Sequence, residues 1–292
     1  MTSALLTVPL WTLALLISTA GLIASVNSLR FSRAVAGEAR QLWSTPPAPQ
    51  PFVATSGASL PAPVERYLQM VGAAEGQPPL HAARLTHGGS MILKPGAAQV
   101  PIRGRQYVSA DPPGFVWWGR IRLAPGAWID ARDKVIDGTG EMKVMVESTK
   151  TLQVATGPEL DQGALIRLLG ELAWMPTVLR DRRYVRWEAI DDHQARAFLT
   201  VNGKRVGAVF HFGPDGLPVR FTAERYRDMG PGQPAVLAPF VGTLGDWREV
   251  PLGDRQLLVP FHVEGAWVID GQLFTFARFD VQRLEVDRPE SF

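Results

Sequence analysis

The stretch from Ala4 to Val26 is 23 residues long and predominantly apolar, and the first charged side chain of the chain is Arg30. A helix needs about 20 apolar residues to cross a bilayer core, so residues 1–30 are predicted to form a single transmembrane anchor. A cleaved secretory signal would carry a charged n-region, and Met1-Thr2-Ser3 offers only the α-amino group. Residues 31–60 read as a juxtamembrane segment and linker, because from Ser44 onward Pro, Ser and Ala dominate and such chains stay extended. Residues 61–292 read as one domain. It opens with a short helix whose apolar positions Val64, Tyr67, Leu68 and Val71 follow the i, i+3, i+4, i+7 spacing of one face.

Beyond that helix the period changes from 3.6 to 2. Phe115, Trp117, Gly119, Ile121 and Leu123 alternate with Val116, Trp118, Arg120 and Arg122; Val206, Ala208, Phe210 and Phe212 alternate with Arg205, Gly207, Val209 and His211; Leu257, Val259, Phe261 and Val263 alternate with Leu258, Pro260, His262 and Glu264. Val185, Trp187 and Ala189 form a similar, shorter run. Such alternation predicts strands with one buried and one wetter face. Turn chemistry separates them at Asp111-Pro112, Asp137-Gly138, Asp191-Asp192, Asn202-Gly203, Pro214-Asp215-Gly216, Gly253-Asp254 and Asp270-Gly271. One helix interrupts the strands. Gly157-Pro158-Glu159-Leu160-Asp161 has the proline and carboxylates of a helix start, and Leu165, Leu168, Leu169 and Leu172 form its stripe. The expected fold is mainly β: a curved, half-barrel-like antiparallel sheet around an embedded helix over 158–172, with an N-terminal transmembrane helix.

Charge narrows the partners. Of 30 basic and 28 acidic residues, Arg30, Arg33, Arg40 and Glu38 lie in the first 43 positions, leaving 27 of each in the remainder. A neutral domain lacks the cationic surplus that displaces counterions from nucleic acid, so nucleic acid is excluded as a partner. The arginine surplus beside the span suits anionic lipid. Lys and Arg flanking a span stay cytoplasmic, so the expectation is an inner-membrane, single-pass protein with its domain in the cytoplasm. The chain has no cysteine, which removes disulfides and thiol nucleophiles.

Candidate chemistry is sparse. His81, His87, His193, His211 and His262 show no zinc-ligand spacing. The acidic run holding Asp130, Asp133, Asp137 and Glu141 misses the calcium-loop pattern, since positions 3 and 12 counted from Asp133 are Val135 and Val144. It reads as strand–turn–strand with solvated carboxylates. Gly138-Thr139-Gly140 lacks the rest of a phosphate loop, and no Gly-x-Ser-x-Gly elbow is present. No cofactor is expected.

Four segments in order do carry a resemblance: Pro112-Pro113-Gly114-Phe115-Val116-Trp117, Gly157-Pro158-Glu159-Leu160-Asp161, Trp174-Met175-Pro176-Thr177 and Arg186-Trp187-Glu188-Ala189-Ile190-Asp191-Asp192. From about Leu60 to about Val286 the chain resembles a bacterial membrane-anchored family of unknown function. The resemblance implies an architecture similar to the half-barrels of bacterial lipoprotein carriers, and it transfers no catalytic residue. Fold by itself does not establish function.

The expected role is non-enzymatic. Either the concave face binds a lipid or other apolar ligand through Trp117, Leu165, Leu169, Phe210 and Phe261, or the protein is an accessory subunit of a larger membrane-protein complex. An open apolar cavity favours the first reading and a sealed one the second. The competing expectation is a hydrolase-like enzyme using His211, His262 and Glu264 on neighbouring strands.

Overall fold

A computed structural model describes residues 4–45, 52–53, 60–230 and 232–292. Its first element, α1 (Ala4–Ser44), begins in the apolar stretch and continues well past it. The part from Trp11 onward is long and apolar enough to cross a membrane, and large side chains such as Trp11, Leu15, Ile17 and Leu22 are exposed. The sequence pattern predicts a helix end near residue 30, but residues 31–44 remain helical. The reason is a second apolar stripe: Phe31, Val35, Ala39 and Leu42 fall on one face and bury against Tyr107, Val116 and Met145. Within the proline-rich linker, residues 46–51 and 54–59 lie outside the described residues.

The domain then opens with α2 (Ala62–Met70), which buries Val64, Tyr67 and Leu68 as the spacing predicts. The sheet strands are β1 (Ala82–Met91), β2 (Val100–Ala110), β3 (Pro113–Ala124), β4 (Ala127–Ile136), β5 (Thr139–Val146) and β6 (Lys150–Ala155). After α3 (Pro158–Glu171) and short 3-10 turns at Leu172–Trp174 and Pro176–Arg180, the chain continues with β7 (Val185–Asp191), β8 (Gln194–Val201), β9 (Lys204–Phe212) and β10 (Pro218–Arg227). It ends with β11 (Val236–Leu252), β12 (Arg255–Ile269) and β13 (Gln272–Val286).

All thirteen strands form one antiparallel, curved, unclosed sheet in the order β6-β5-β4-β3-β2-β1-β13-β12-β11-β10-β9-β8-β7. The chain therefore walks outward from β1 to one edge, crosses on α3, and walks back from the other edge until β13 pairs with β1 (Ala83 opposite Val286, Met91 opposite Ala277). Helix α3 lies in the concavity, where Leu165, Leu168 and Leu169 are almost fully buried. One core cluster joins α2, α3 and the inner faces of both arms.

Antiparallel pairing sorts the turns onto two margins of the sheet. The turns after β1, β3, β5, β10 and β12 share the first margin, and those after β2, β4, β7, β9 and β11 share the second. Helix α2 stoppers the second margin: the Tyr67 ring packs 6.0 Å from both Phe212 and Trp247, and Leu258 N–H donates to Val71 O at 3.2 Å. The β8–β9 turn, which pairing alone would put on the first margin, lies near the free edge and curls across to the β4–β5 turn of the second, where Asn202 Nδ2 donates to Asp137 O at 3.3 Å.

Helix α1 lies on the outer face, antiparallel to β3. Leu42 packs at Gly114, the Phe31 ring sits 6.0 Å from Trp118, and Arg120 Nη2 donates to Ser28 Oγ at 2.7 Å. Arg120 is fixed in turn by Asp130, a fully buried carboxylate that also accepts from the indole N–H groups of Trp118 (3.0 Å) and Trp128 (2.9 Å). Glu38 on the same helix pairs with Arg132 and Lys134. These contacts set the direction in which the apolar half of α1 leaves the domain, past the first margin.

Candidate functional site

The concave side of the sheet holds two adjoining spaces. An inner chamber of about 170 Å³ is walled by Trp117, Phe221, Phe240, Leu244, Phe276 and Phe279 among others. An outer groove of about 1040 Å³ runs between β6, the β1–β2 turn and the β10–β11 turn. Met91, Asp133, Met142, Arg225 and Phe276 line both, so chamber and groove share a wall. Pockets that hold small molecules are mostly apolar with a few placed polar groups, and this one has that composition.

Its aromatic lining is built strand by strand. Phe210 stacks on Phe221 at 5.7 Å, Phe221 meets Phe240 at 5.9 Å, and Phe240 meets Trp267 edge-on at 5.2 Å. Phe221 is accommodated by two missing side chains: a Cβ at Gly170 of α3 would lie 2.0 Å from its ring, and one at Gly242 of β11 would lie 2.1 Å away. A methyl group at either place has to displace the ring. Gly170→Ala is expected to cost about 1–3 kcal/mol by overpacking, read as a lowered denaturation midpoint. A midpoint equal to that of the unaltered protein would mean that Phe221 has room to move.

The polar members cluster at the floor. Arg167 of α3 bridges Asp133 Oδ2 (2.9 Å) and Glu171 Oε1 (2.7 Å). Gln106 closes the ring, accepting from Arg167 at 3.0 Å and donating to Glu171 at 2.7 Å. Burial works against the charge on Arg167, but Glu171 and Asp133 more than offset it and hold its pKa above the ordinary value. Among the described residues, Asp133 Oδ1 is buried with no hydrogen-bond partner. The expectation of solvated carboxylates on β4 is therefore corrected for two of its members. Asp133 faces the chamber and Asp130 faces α1, and each is buried against an arginine that no sequence spacing announces.

Arg225 stands at the junction of groove and chamber. Its Nε donates to Gly163 O at 2.8 Å, and its guanidinium lies 4.7 Å above Phe240 and 5.5 Å above Trp267. Among the described residues no carboxylate comes within ion-pair distance of it. Burial pulls its pKa down to about 10, with Asp133 opposing, so it stays cationic at neutral pH.

The family model "Family of unknown function (DUF6544)" matches residues 50–279. The chain belongs to this family. No curated protein matches it. Among solved structures the chain is similar to a domain from Vibrio parahaemolyticus described as outer membrane lipoprotein-sorting. That match has 11% identity and a TM-score of 0.39, and it covers 77% of this chain and 92% of that one. It is also similar to a DUF1329 family protein from Desulfovibrio piger, at 14% identity and a TM-score of 0.37, covering 77% and 92%. A beta-barrel-like DUF1849 protein from Brucella abortus matches at 10% identity and a TM-score of 0.30, covering 72% and 99%.

Of the residues expected in the site of this DUF6544 member, Trp117 lines the chamber. Leu165, Leu169 and Phe210 are buried in the core behind it, and Phe261 is half-buried with the Arg248 guanidinium 4.9 Å above its ring. The three acid–base candidates do not converge. His262 lies between Asp280 (2.7 Å) and Glu264 (3.5 Å), and Glu264 also accepts from Arg278 at 2.8 Å, which makes a cross-strand ladder. His211 is on β9, separated from β12 by β10 and β11. At about 4.8 Å per strand step that puts roughly 14 Å between them. His211 instead bonds Thr222 at 3.1 Å.

Sequence reasoning missed Phe221, Phe240, Arg167 and Arg225. The alternation Phe240-x-Gly242-x-Leu244 is present in the chain and places β11 on the chamber wall. No local signal marks the arginines, whose partners come from other elements.

Proposed function

We propose that this protein is a single-pass membrane protein whose half-barrel binds a lipid-like amphiphile, with the apolar chain in the inner chamber and the polar end beside Arg225. The observation that carries this reading is an aromatic-walled chamber adjoining an open groove across a shared wall, where a cation lacks a carboxylate partner among the described residues. The open concavity favours a ligand over the reading as a scaffold subunit of a membrane complex. Arg30, Arg33 and Arg40 beyond the span support an inner-membrane location with the domain in the cytoplasm.

Full-length protein purified in mild detergent is expected to carry acyl lipid in stoichiometric amount, detected by organic extraction and mass spectrometry. Recovery of nothing apolar would overturn the proposal. Arg225→Met removes a charge-assisted contact worth about 1.5–3 kcal/mol, so retention of an anionic amphiphile is expected to fall about tenfold or more. Undiminished retention would place the polar end elsewhere.

A further inference from the structure

We infer that the first margin of the sheet is a membrane-docking rim, seated on the same bilayer that holds α1, so that the groove opens directly onto lipid. The inference rests on the anchor reading above and adds an orientation to it.

Three observations converge. The first is direction. Helix α1 passes Leu42 at Gly114, Phe31 at Trp118 and Ser28 at Arg120, so its apolar half continues beyond the end of β3 that carries Leu123. Asn27 Nδ2 donates to Thr149 Oγ1 in the β5–β6 turn at 3.3 Å, on the same margin. From Arg120 to Leu123 a strand rises about 10 Å, and the helix covers that distance in about seven residues. The rim and the charge-free span thus reach the same level.

The second observation is composition. Leu93, Leu123, Met229, Val236, Leu237 and Leu273 are each between 45% and 59% exposed, and all stand at or beside first-margin turns. Exposed apolar clusters on soluble surfaces mark interaction sites. Around them lie exposed Lys94, Arg122 and Lys150, with Arg30 on the helix, against Glu147, Asp228 and Asp270. The turns of the second margin contain instead Asp111, Asp137, Asp192, Asp215 and Asp254. Basic side chains near a bilayer surface gain from anionic lipid, and the second-margin turns, with five carboxylates and no Lys or Arg, offer none, so the first margin is the less acidic of the two.

The third observation is access. The groove is bounded by Leu93 and Lys94 of the β1–β2 turn, Met229 of the β10–β11 turn and Phe274 near the start of β13, all first-margin residues. The second margin is blocked by α2. A ligand reaching the chamber through the groove enters from the rim, and with the rim in the headgroup layer that route starts in the bilayer.

The chain has no cysteine, so single reporters are clean. Ala14→Cys (span), Leu93→Cys and Leu273→Cys (rim) and Asp192→Cys (second margin) would each carry an environment-sensitive fluorophore. Each full-length variant is reconstituted in vesicles of phosphatidylcholine and phosphatidylglycerol, with and without bromine on the acyl chains. The expected result is a blue shift and bromine-dependent loss of fluorescence at positions 14, 93 and 273, with position 192 unaffected. Quenching at 14 without quenching at 93 and 273 overturns the rim and leaves the anchor standing. No quenching at 14 removes the anchor and the rim with it. Quenching at 192 equal to that at 93 also overturns the rim, because the margins would then not be distinguished.

Discussion

Arg167→Met is expected to destabilise the domain by about 3–5 kcal/mol, the range for breaking a buried ion pair by deleting one partner. The side chains of Arg167, Asp133 and Glu171 are 14%, 4% and 15% exposed. Methionine would fill the volume and keep the helix, but it leaves two carboxylates in the chamber floor without their cation. Asp133 is the worse placed, because its Oδ1 already lacks a partner and its Oδ2 would lose the bond from Arg167 Nη1. Stacking is lost as well, since the guanidinium lies 4.7 Å over Phe115 and 5.0 Å over Trp117. The triple replacement Arg167→Met, Asp133→Asn, Glu171→Gln removes the stranded charges and is expected to recover a large part of the loss. Denaturant midpoints of the full-length variants in detergent measure both. A single variant within about 1 kcal/mol of the unaltered protein would mean that water reaches these carboxylates and that the floor is not a buried network.

That network also shows where a sequence stops being informative. The strands were legible because alternation is local: Val206, Ala208, Phe210 and Phe212 are buried in β9 as their spacing implies. The helix over 158–172 was legible for the same reason, its leucine stripe turning inward as expected. The lower half of α1 was missed although Phe31, Val35, Ala39 and Leu42 keep a helical period, because the proline-rich composition just beyond them masks it. The chamber floor was missed on different grounds. Asp133 and Arg167 are 34 positions apart, and Gln106 and Arg167 are 61 apart. They meet only because β2 and β4 flank β3 beneath α3. An arginine on a helix and an aspartate on a strand look solvated until topology removes the water. Consecutive strands pair across short turns that the sequence marks, whereas the pairing of β1 with β13 joins distant parts of the chain and has no local signature.

Acidification from about pH 6.5 to about pH 4 is expected to remove about 3 kcal/mol of folding stability through His87 alone. His87 lies on β1, buried against Phe279 at 4.3 Å and nearly coplanar with Trp117. Trp117 Nε1–H can only donate, so its 2.9 Å bond makes His87 Nε2 the acceptor and leaves Nδ1–H to donate to Gly88 O at 3.2 Å. Both ring nitrogens are satisfied in the neutral form alone. Burial, only partly opposed by the bond to Gly88, pulls the pKa from 6.5 down to about 4. The unfolded chain takes up a proton near 6.5 and the folded chain only near 4, so the unfolded state binds more protons throughout that window. Stability from this group is therefore complete above about pH 6.5 and is lost as the pH falls through the window, levelling off below the folded value. His87→Gln keeps an acceptor for Trp117 and cannot titrate. Subtracting its pH profile from that of the unaltered protein isolates this histidine from every other titrating group. Parallel profiles between pH 7 and pH 4 would show that the ring is hydrated in the folded state. A difference of the expected size would tie proton uptake to the chamber itself, because Trp117 and Phe279, the two rings that hold His87, are also walls of the chamber.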